Sequence, residues 1–288
     1  MEFSGTKRRK IVQHAAFAVI RVAVYINVGA LIVFLAFIAV QGIPAISWEF
    51  LTQAPRRSMT EGGIWPCIVG TVYLSIGSIA VAFPLGVGTA IYLNEYAGSG
   101  RWVRIVRMGI VNLAGVPSVV YGLFGLAFFV IWLEMGVSIL AGSLTLGAFI
   151  LPLVIGSSEE ALRAVPQANR EASLALGATR WQTIYRVILP EALPGMITGL
   201  ILGMSRAAGE TAPIMFTAAV FFSREMPSSI FDEVMAMPYH IYVLATAGTE
   251  IEKTRPLQYG TALTLMALVL GMNLAAILIR NRLQKKRL

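Results

Sequence analysis

The chain has 288 residues, of which 57 % are hydrophobic and 13 % charged, with a formal net charge of +8. Charged residues run at about half the roughly 25 % of soluble domains. A mean hydropathy of +0.73 therefore points to an integral membrane protein and excludes an ordinary soluble enzyme. The positive charge does not mark a nucleic-acid binder, because Lys and Arg gather at the ends of apolar segments, where they set topology.

The first apolar stretch, 17–40, follows the run Lys7-Arg8-Arg9-Lys10, so residues 1–16 read as a basic cytoplasmic N-terminus. The stretch is too long for a signal-peptide core, and no small-x-small cleavage site follows it before Gln41-Gly-Ile-Pro44. It is expected to stay as an anchor. Further apolar stretches lie at 64–93, 108–133, 139–155, 192–222 and 257–279. About 20 helical residues cross the ~30 Å hydrocarbon layer. The expectation is an all-α polytopic protein of one domain, 17–280, with six transmembrane helices and a basic tail, 281–288. No alternation of the membrane-barrel kind appears.

Six spans put both termini on one side. That side holds Lys7, Arg8, Arg9, Lys10, Arg101, Arg104, Arg107, Arg163, Arg170, Arg180, Arg186, Arg280, Arg282, Lys285, Lys286 and Arg287. The other holds Arg56, Arg57, Arg224, Lys253 and Arg255. The imbalance places both termini in the cytoplasm.

Within the second stretch, Cys67 reads as a small packing residue. Gly86-Val-Gly88 lacks the rest of a phosphate loop and also reads as packing. Asn94-Glu95 at its inner end reads as ordinary helix-end solvation rather than a gate.

The cytoplasmic segment 156–191 carries a short predicted helix, Pro166 to Gly177. Pro166 suits a first turn and Gly177 a left-handed cap. Ala172, Leu174, Ala175 and Leu176 give this helix an apolar surface. Such a surface suits a groove on a soluble partner or the lipid headgroup plane, and the residues alone leave both open. Trp181, Ile184, Val187 and Ile188 share one face of the next stretch. Pro190 and Pro194 are expected to break the chain as the fifth span begins.

The fifth span is the most unusual. Arg206 and Glu210 sit inside it, in a setting where a charge costs roughly 2.5–3.5 kcal/mol or more. At about 100° per residue, Gly195, Gly199, Gly203, Arg206 and Glu210 fall on one narrow stripe, expected to face another helix or a pathway rather than lipid. A helix break at Gly209 or Pro213 would shift the angles beyond Ala208. The glycines form a small-xxx-small packing run. The charges serve either as a bridge between helices or as a guanidinium offered to a passing oxyanion, with Thr211 beside it.

The external segment 223–256, with Glu225, Asp232, Glu233, Glu250 and Glu252, is either a solvated connector or a contact for an extracytoplasmic protein. His14 and His240 lie far apart and give no metal-ligand spacing. No metal and no catalytic residue is expected. No Walker motif is present, so ATP hydrolysis is not expected in this chain.

Glu171-Ala-Ser-x3-Gly177-x9-Val187-x-Leu189-Pro190 resembles the EAA loop of ABC-importer permeases, with Ser173 for the second Ala and Val187 for Ile. The resemblance implies a type I ABC importer permease fold. It also implies that Glu171, Ala172, Gly177, Leu189 and Pro190 couple the chain to a separate ATPase.

Pro84-Leu-Gly-Val-Gly-Thr-Ala-Ile-Tyr-Leu-Asn-Glu-Tyr-Ala97, Gly115-Val-Pro-Ser-Val-Val-Tyr-Gly-Leu-Phe-Gly125, Ser205-Arg-Ala-Ala-Gly-Glu-Thr-Ala-Pro-Ile214 and Gln258-Tyr-Gly-Thr-Ala-Leu263 are together similar to phosphate-import permeases. That resemblance implies a multi-pass inner (plasma) membrane protein importing inorganic phosphate. Its implied partners are a second permease subunit, a dimer of ATPase subunits, an extracytoplasmic phosphate-binding protein and membrane lipid. This chain would bind no cofactor, the ATP-Mg residing on the ATPase. Two rival readings are a permease for another oxyanion or small solute, and a membrane scaffold that mainly signals phosphate status.

Overall fold

A computed structural model describes residues 3–57, 59–98, 100–223, 226–247 and 251–285. Arg224, Glu225, Glu250, Lys286 and Arg287, used above, lie outside the described residues.

In chain order the helices are α1 (Phe3–Gly42), α2 (Trp48–Thr52), α3 (Trp65–Ile91), α4 (Arg101–Ala114), α5 (Ser118–Gly125), α6 (Ile139–Arg163), α7 (Gln167–Ala175), α8 (Arg180–Thr183), α9 (Leu189–Gly209), α10 (Ala212–Thr217), α11 (Met237–Thr246) and α12 (Ile251–Lys285). π turns extend α3 over Tyr92–Tyr96 and α5 over Leu126–Trp132, and join α8 to α9 over Ile184–Ile188. A two-residue hairpin pairs Pro55 with Gly62 and Arg56 with Glu61. Among the described residues five helices are long and apolar enough to cross a membrane, or six if a bent pair counts as one.

The bent pair is α4 with α5 and its π turn, folded by 102°. The stretch 108–133, read above as one straight span, is therefore two helices at a corner. Hydropathy is blind to the direction of the chain. Pro117 supplies the reason, because a proline disfavours helical geometry in the residue before it. Tyr121 closes the corner by donating its hydroxyl to the Leu113 carbonyl at 2.9 Å.

α6 is the centre of the bundle, flanked by α3 and α9, and small residues let all three backbones approach. A Cβ on Gly86 would lie 2.7 Å from Cγ1 of Val154, and one on Gly195 would lie 2.7 Å from Cβ of Ala161. A Cβ on Gly199 would overlap the Ser157 side chain, and one on Gly203 would sit 3.6 Å from Ile150 and Val154. The predicted glycine run thus packs against α6. The core follows from these contacts, with Leu146, Ile150, Val154 and Leu162 of α6 and Met196 of α9 buried.

The chain does not break at Pro190 or Pro194. α8, its π turn and α9 run as one 30-residue helical rod, Arg180–Gly209. A proline lacks its N–H and crowds the carbonyl four residues back. The wider π turn directly before Pro190 absorbs that conflict. The same turn alters the register of the face: Ile184 and Ile188 are buried, whereas Trp181 is exposed and stacks on Tyr185 at 6.4 Å.

α1 lies at the edge, against α12. Phe37 meets the Tyr259 ring edge-on at 5.6 Å, and a Cβ on Gly42 would lie 2.7 Å from the Tyr259 carbonyl oxygen. The outer-loop segment is not all connector. Val220 and Val234 carry backbone bonds that knit it to the end of α10, Val220 N–H to Val234 and Val234 N–H to Ala218. Met237 N–H donates to Thr71 Oγ1 at 2.9 Å, so α11 folds back onto α3.

Candidate functional site: a broken helix carrying Arg206 and Glu210

α9 stops at Gly209, earlier than the regular helix assumed from the periodicity. Glu210 is extended (φ −77°, ψ 133°), and α10 restarts at Ala212. Pro213, in the first turn of α10, needs no N–H partner there. The break takes Glu210 off the helical stripe but leaves it next to Arg206.

The two charges form a loose pair, Arg206 Nε to Glu210 Oε1 at 3.8 Å, with the Arg206 side chain 42 % and the Glu210 side chain 21 % exposed. That separation is too long for a hydrogen bond. The guanidinium rests instead on the ring of Phe149, 4.2 Å from its centre. Phe149 is buried and meets Tyr121 edge-on at 5.4 Å, so the α4–α5 corner supports the platform under Arg206. Phe149 lies about 15 Å along α6 from Ile139 and about 21 Å from Arg163, at 1.5 Å per residue, so the charge sits near mid-depth.

Apart from this contact with Glu210, the guanidinium has its donors free among the described residues. Thr211 is half-buried and directly precedes α10 in the helix break. Glu210 borders a void of about 10 Å³ shared with Thr71, Ala208 and Pro238. The arrangement is a fixed cation with an open fork of donors, a carboxylate near enough to compete for it, and a helix break beside both.

α7 ends as the sequence predicted. Gly177 adopts φ +83°. Its N–H bonds the Leu174 carbonyl at 3.0 Å and the Ala178 N–H bonds that of Ser173 at 3.3 Å, the paired bonds of a Schellman cap. Glu171, Ala172, Leu174, Leu176 and Gly177 are exposed on this loop, Leu176 at 90 %. Ser173 Oγ and Thr183 Oγ1 share a hydrogen bond of 2.9 Å that ties α7 to the rod. Leu189 and Pro190 lie apart from this surface, half-buried at the start of α9. Leu189 packs against the buried cluster that includes Ile184, Ile188 and Leu162.

Sequence reasoning missed two ion-pair clusters at the α7 end. Glu95 is no solvated helix end: its side chain is 12 % exposed and pairs with Arg170 at 3.2 Å. Glu159 binds Arg107 at 2.7 Å and Arg163 at 2.9 Å. Only Glu159 and Arg163, four apart on one helix, carried a readable signal.

Residues 82–287 match the family model described as "Binding-protein-dependent transport system inner membrane component". The chain belongs to this family. It is 32 % identical to the probable ABC transporter permease protein YqgI of Bacillus subtilis, over 96 % of this chain and 98 % of that one. It is 38 % identical to the phosphate transport system permease protein PstA of Mycobacterium leprae, over 93 % and 88 %.

Among solved structures it resembles a bacterial alginate ABC transporter in complex with its pentasaccharide-bound periplasmic protein, at TM-score 0.66 and 16 % identity over 99 % of both chains. It also resembles the inward-facing MetNI methionine ABC transporter, at TM-score 0.60 and 19 % identity over 77 % of this chain and 94 % of that one. The fold is that of type I ABC importer permeases, and the chain is a multi-pass inner-membrane component of a binding-protein-dependent system.

Proposed function

We propose that this chain is the transmembrane permease subunit of an ATP-driven importer of inorganic phosphate. Relatives named as phosphate transport permeases support this over most of the chain, including PstA of Mycobacterium leprae and PstA of Xylella fastidiosa at 29 % identity over 96 % of this chain. The observation that carries it is Arg206, half-exposed at mid-depth with its donors free. A guanidinium there matches the oxygens of phosphate and needs protein or pathway, not lipid, across from it.

In this reading the face bearing Arg206 is completed by a PstC-like second permease. Phosphate arrives from a PstS-like extracytoplasmic binding protein and takes Arg206 from Glu210 as it passes. When the anion leaves, Glu210 recovers the contact, so the site binds strongly enough to admit its ion and weakly enough to release it. The 3.8 Å separation suits such an exchange, because no tight bridge has to be broken first.

Exposed Glu171, Ala172 and Gly177 dock on a PstB-like ATPase dimer, which holds the ATP-Mg and does the hydrolysis, while this chain binds no cofactor. Leu189 and Pro190 pass the movement of that loop into the rod. Both termini lie in the cytoplasm. The test is labelled-phosphate uptake by the reconstituted importer against excess sulfate or molybdate. Uptake that unlabelled phosphate alone suppresses supports the reading, and suppression by sulfate or molybdate at equal concentration overturns it.

A further inference from the structure

At the α7 end of the bundle lies a polar cleft of about 410 Å³ that the transport reading leaves unused. Arginines reach it from three elements: Arg163 at the end of α6, Arg170 in α7 and Arg180 at the start of α8. Asn94, Gln167 and Thr183 add neutral hydrogen-bonding groups.

The charges there do not balance. Glu95, the one carboxylate in the lining, is taken by Arg170 at 3.2 Å. Glu159, outside the lining, divides one oxygen between Arg163 at 2.9 Å and Arg107 at 2.7 Å. Arg180 is exposed and pairs with no carboxylate among the described residues. Three guanidiniums thus line one concavity with a single carboxylate, and Glu159 behind them serves Arg163 only in common with Arg107. Like charges on a concave wall reinforce one another's field and draw anions.

The wall is also built. Arg170 is 14 % exposed, and it is fixed by donating to the Val165 and Leu162 carbonyls at 2.7 Å each. It is a rigid post beside Arg163, which Glu159 holds through one terminal nitrogen, and Arg180, which no carboxylate holds among the described residues. Planar forks of this kind match phosphate oxygens two at a time. A volume of this size lies within the usual range of roughly 300–1,000 Å³ for small-molecule sites, room for a phosphate group with a small substituent.

We propose that this cleft is a second anion site, which takes a phosphate-bearing group between Arg163, Arg170 and Arg180. Two sources share that chemistry, free inorganic phosphate and the headgroup of an anionic phospholipid. An anion there joins α6, α7 and α8 and so ties the exposed loop to the end of the bundle. The binding does not depend on what the chain transports.

The test uses the complete transporter in two kinds of nanodisc. In phosphatidylcholine discs, labelled inorganic phosphate is titrated. In discs containing phosphatidylglycerol, retained lipid is counted by native mass spectrometry without added phosphate. Each is run on wild type, on Arg163→Gln/Arg180→Gln and on Arg206→Gln.

The expected result is a saturable ligand in one arm, kept by Arg206→Gln and weakened at least tenfold in the double variant. The arm that shows it names the source. Arg180→Gln alone, at an exposed position, weakens it several-fold and serves if the double variant fails to fold. Equal binding by wild type and double variant in both arms, or no bound ligand in either, overturns the proposal. So does a phosphate lost only in Arg206→Gln, which belongs to the pathway. So, finally, does a double variant whose sole defect is loss of the ATPase subunits, since the cleft then receives an acidic side chain of that partner.

Discussion

Arg206 lays its guanidinium on the face of Phe149, 4.2 Å from the ring centre. The two residues come from different helices, α9 and α6, that glycines hold close. The aromatic face helps carry a positive charge where water is scarce, a contribution of about 0.5–2 kcal/mol. It does so without using the N–H donors, which stay available to an anion.

Phe149→Leu keeps the bulk and removes the ring quadrupole. It should raise the half-saturating phosphate concentration by about two- to thirtyfold, the factor that corresponds to ~0.5–2 kcal/mol, with normal complex assembly. Phe149→Tyr should stay near wild type. Uptake kinetics across the two variants check this, and an unchanged Leu variant would remove the platform from the account.

The glycines of α9 make opposite predictions one turn apart. Gly199→Ala drives a Cβ into Ser157 and should destabilise the subunit by about 1–3 kcal/mol, as overpacking does. Gly203→Ala finds its nearest neighbours at 3.6 Å, an ordinary contact. It should be neutral or gain up to about 1 kcal/mol of helix propensity. Thermal unfolding midpoints of the purified complex distinguish the two.

Gly177 holds φ +83°, a conformation that costs other residues about 1–2 kcal/mol and β-branched ones most. Gly177→Val should reshape the loop and lower uptake about tenfold, whereas Gly177→Asn, which tolerates this geometry, should keep most of it. Parallel uptake and ATPase assays show whether the loss lies in coupling.

His240, on α11 outside the spans, is buried, and burial pushes its pKa down from 6.5 to about 4. Above pH 6.5 it is neutral whether α11 is seated or open. Below that the open form takes up a proton that the seated form refuses until about pH 4. The seated form therefore loses stability across that window, by up to about tenfold per pH unit, and loses no more below it. Hydrogen exchange at residues 237–246, corrected for intrinsic rates, should show protection falling from pH 6.5 to 4. His240→Leu should flatten the dependence.

Much of this architecture was legible in the residues. Gly177 announced a helix stop, and the four-residue spacing of Gly195, Gly199 and Gly203 announced a close helix contact, because both are local rules of backbone geometry. The end of α9 at Gly209 was legible in part: Gly209 and Pro213 are both helix breakers, although apolar periodicity runs on past them. The corner at Pro117 was hidden because hydropathy carries no direction. Pro190 misled because a π turn over Ile184–Ile188 absorbs it, and Pro194 misled because α9 runs through it.

The pairs Arg170–Glu95 and Arg107–Glu159 join residues 75 and 52 positions apart, and only packing brings them together. Arg206 and Glu210 were conspicuous as intramembrane charges. That they stand 3.8 Å apart rather than tightly bridged required the helix break to be seen.

The account rests on Arg206 as the group that meets the anion. Phosphate uptake by the complete transporter carrying Arg206→Gln, measured beside the yield of intact complex, tests it most directly. The account predicts uptake at background with all subunits assembled. Uptake at the wild-type rate, or a complex that no longer assembles, would contradict it.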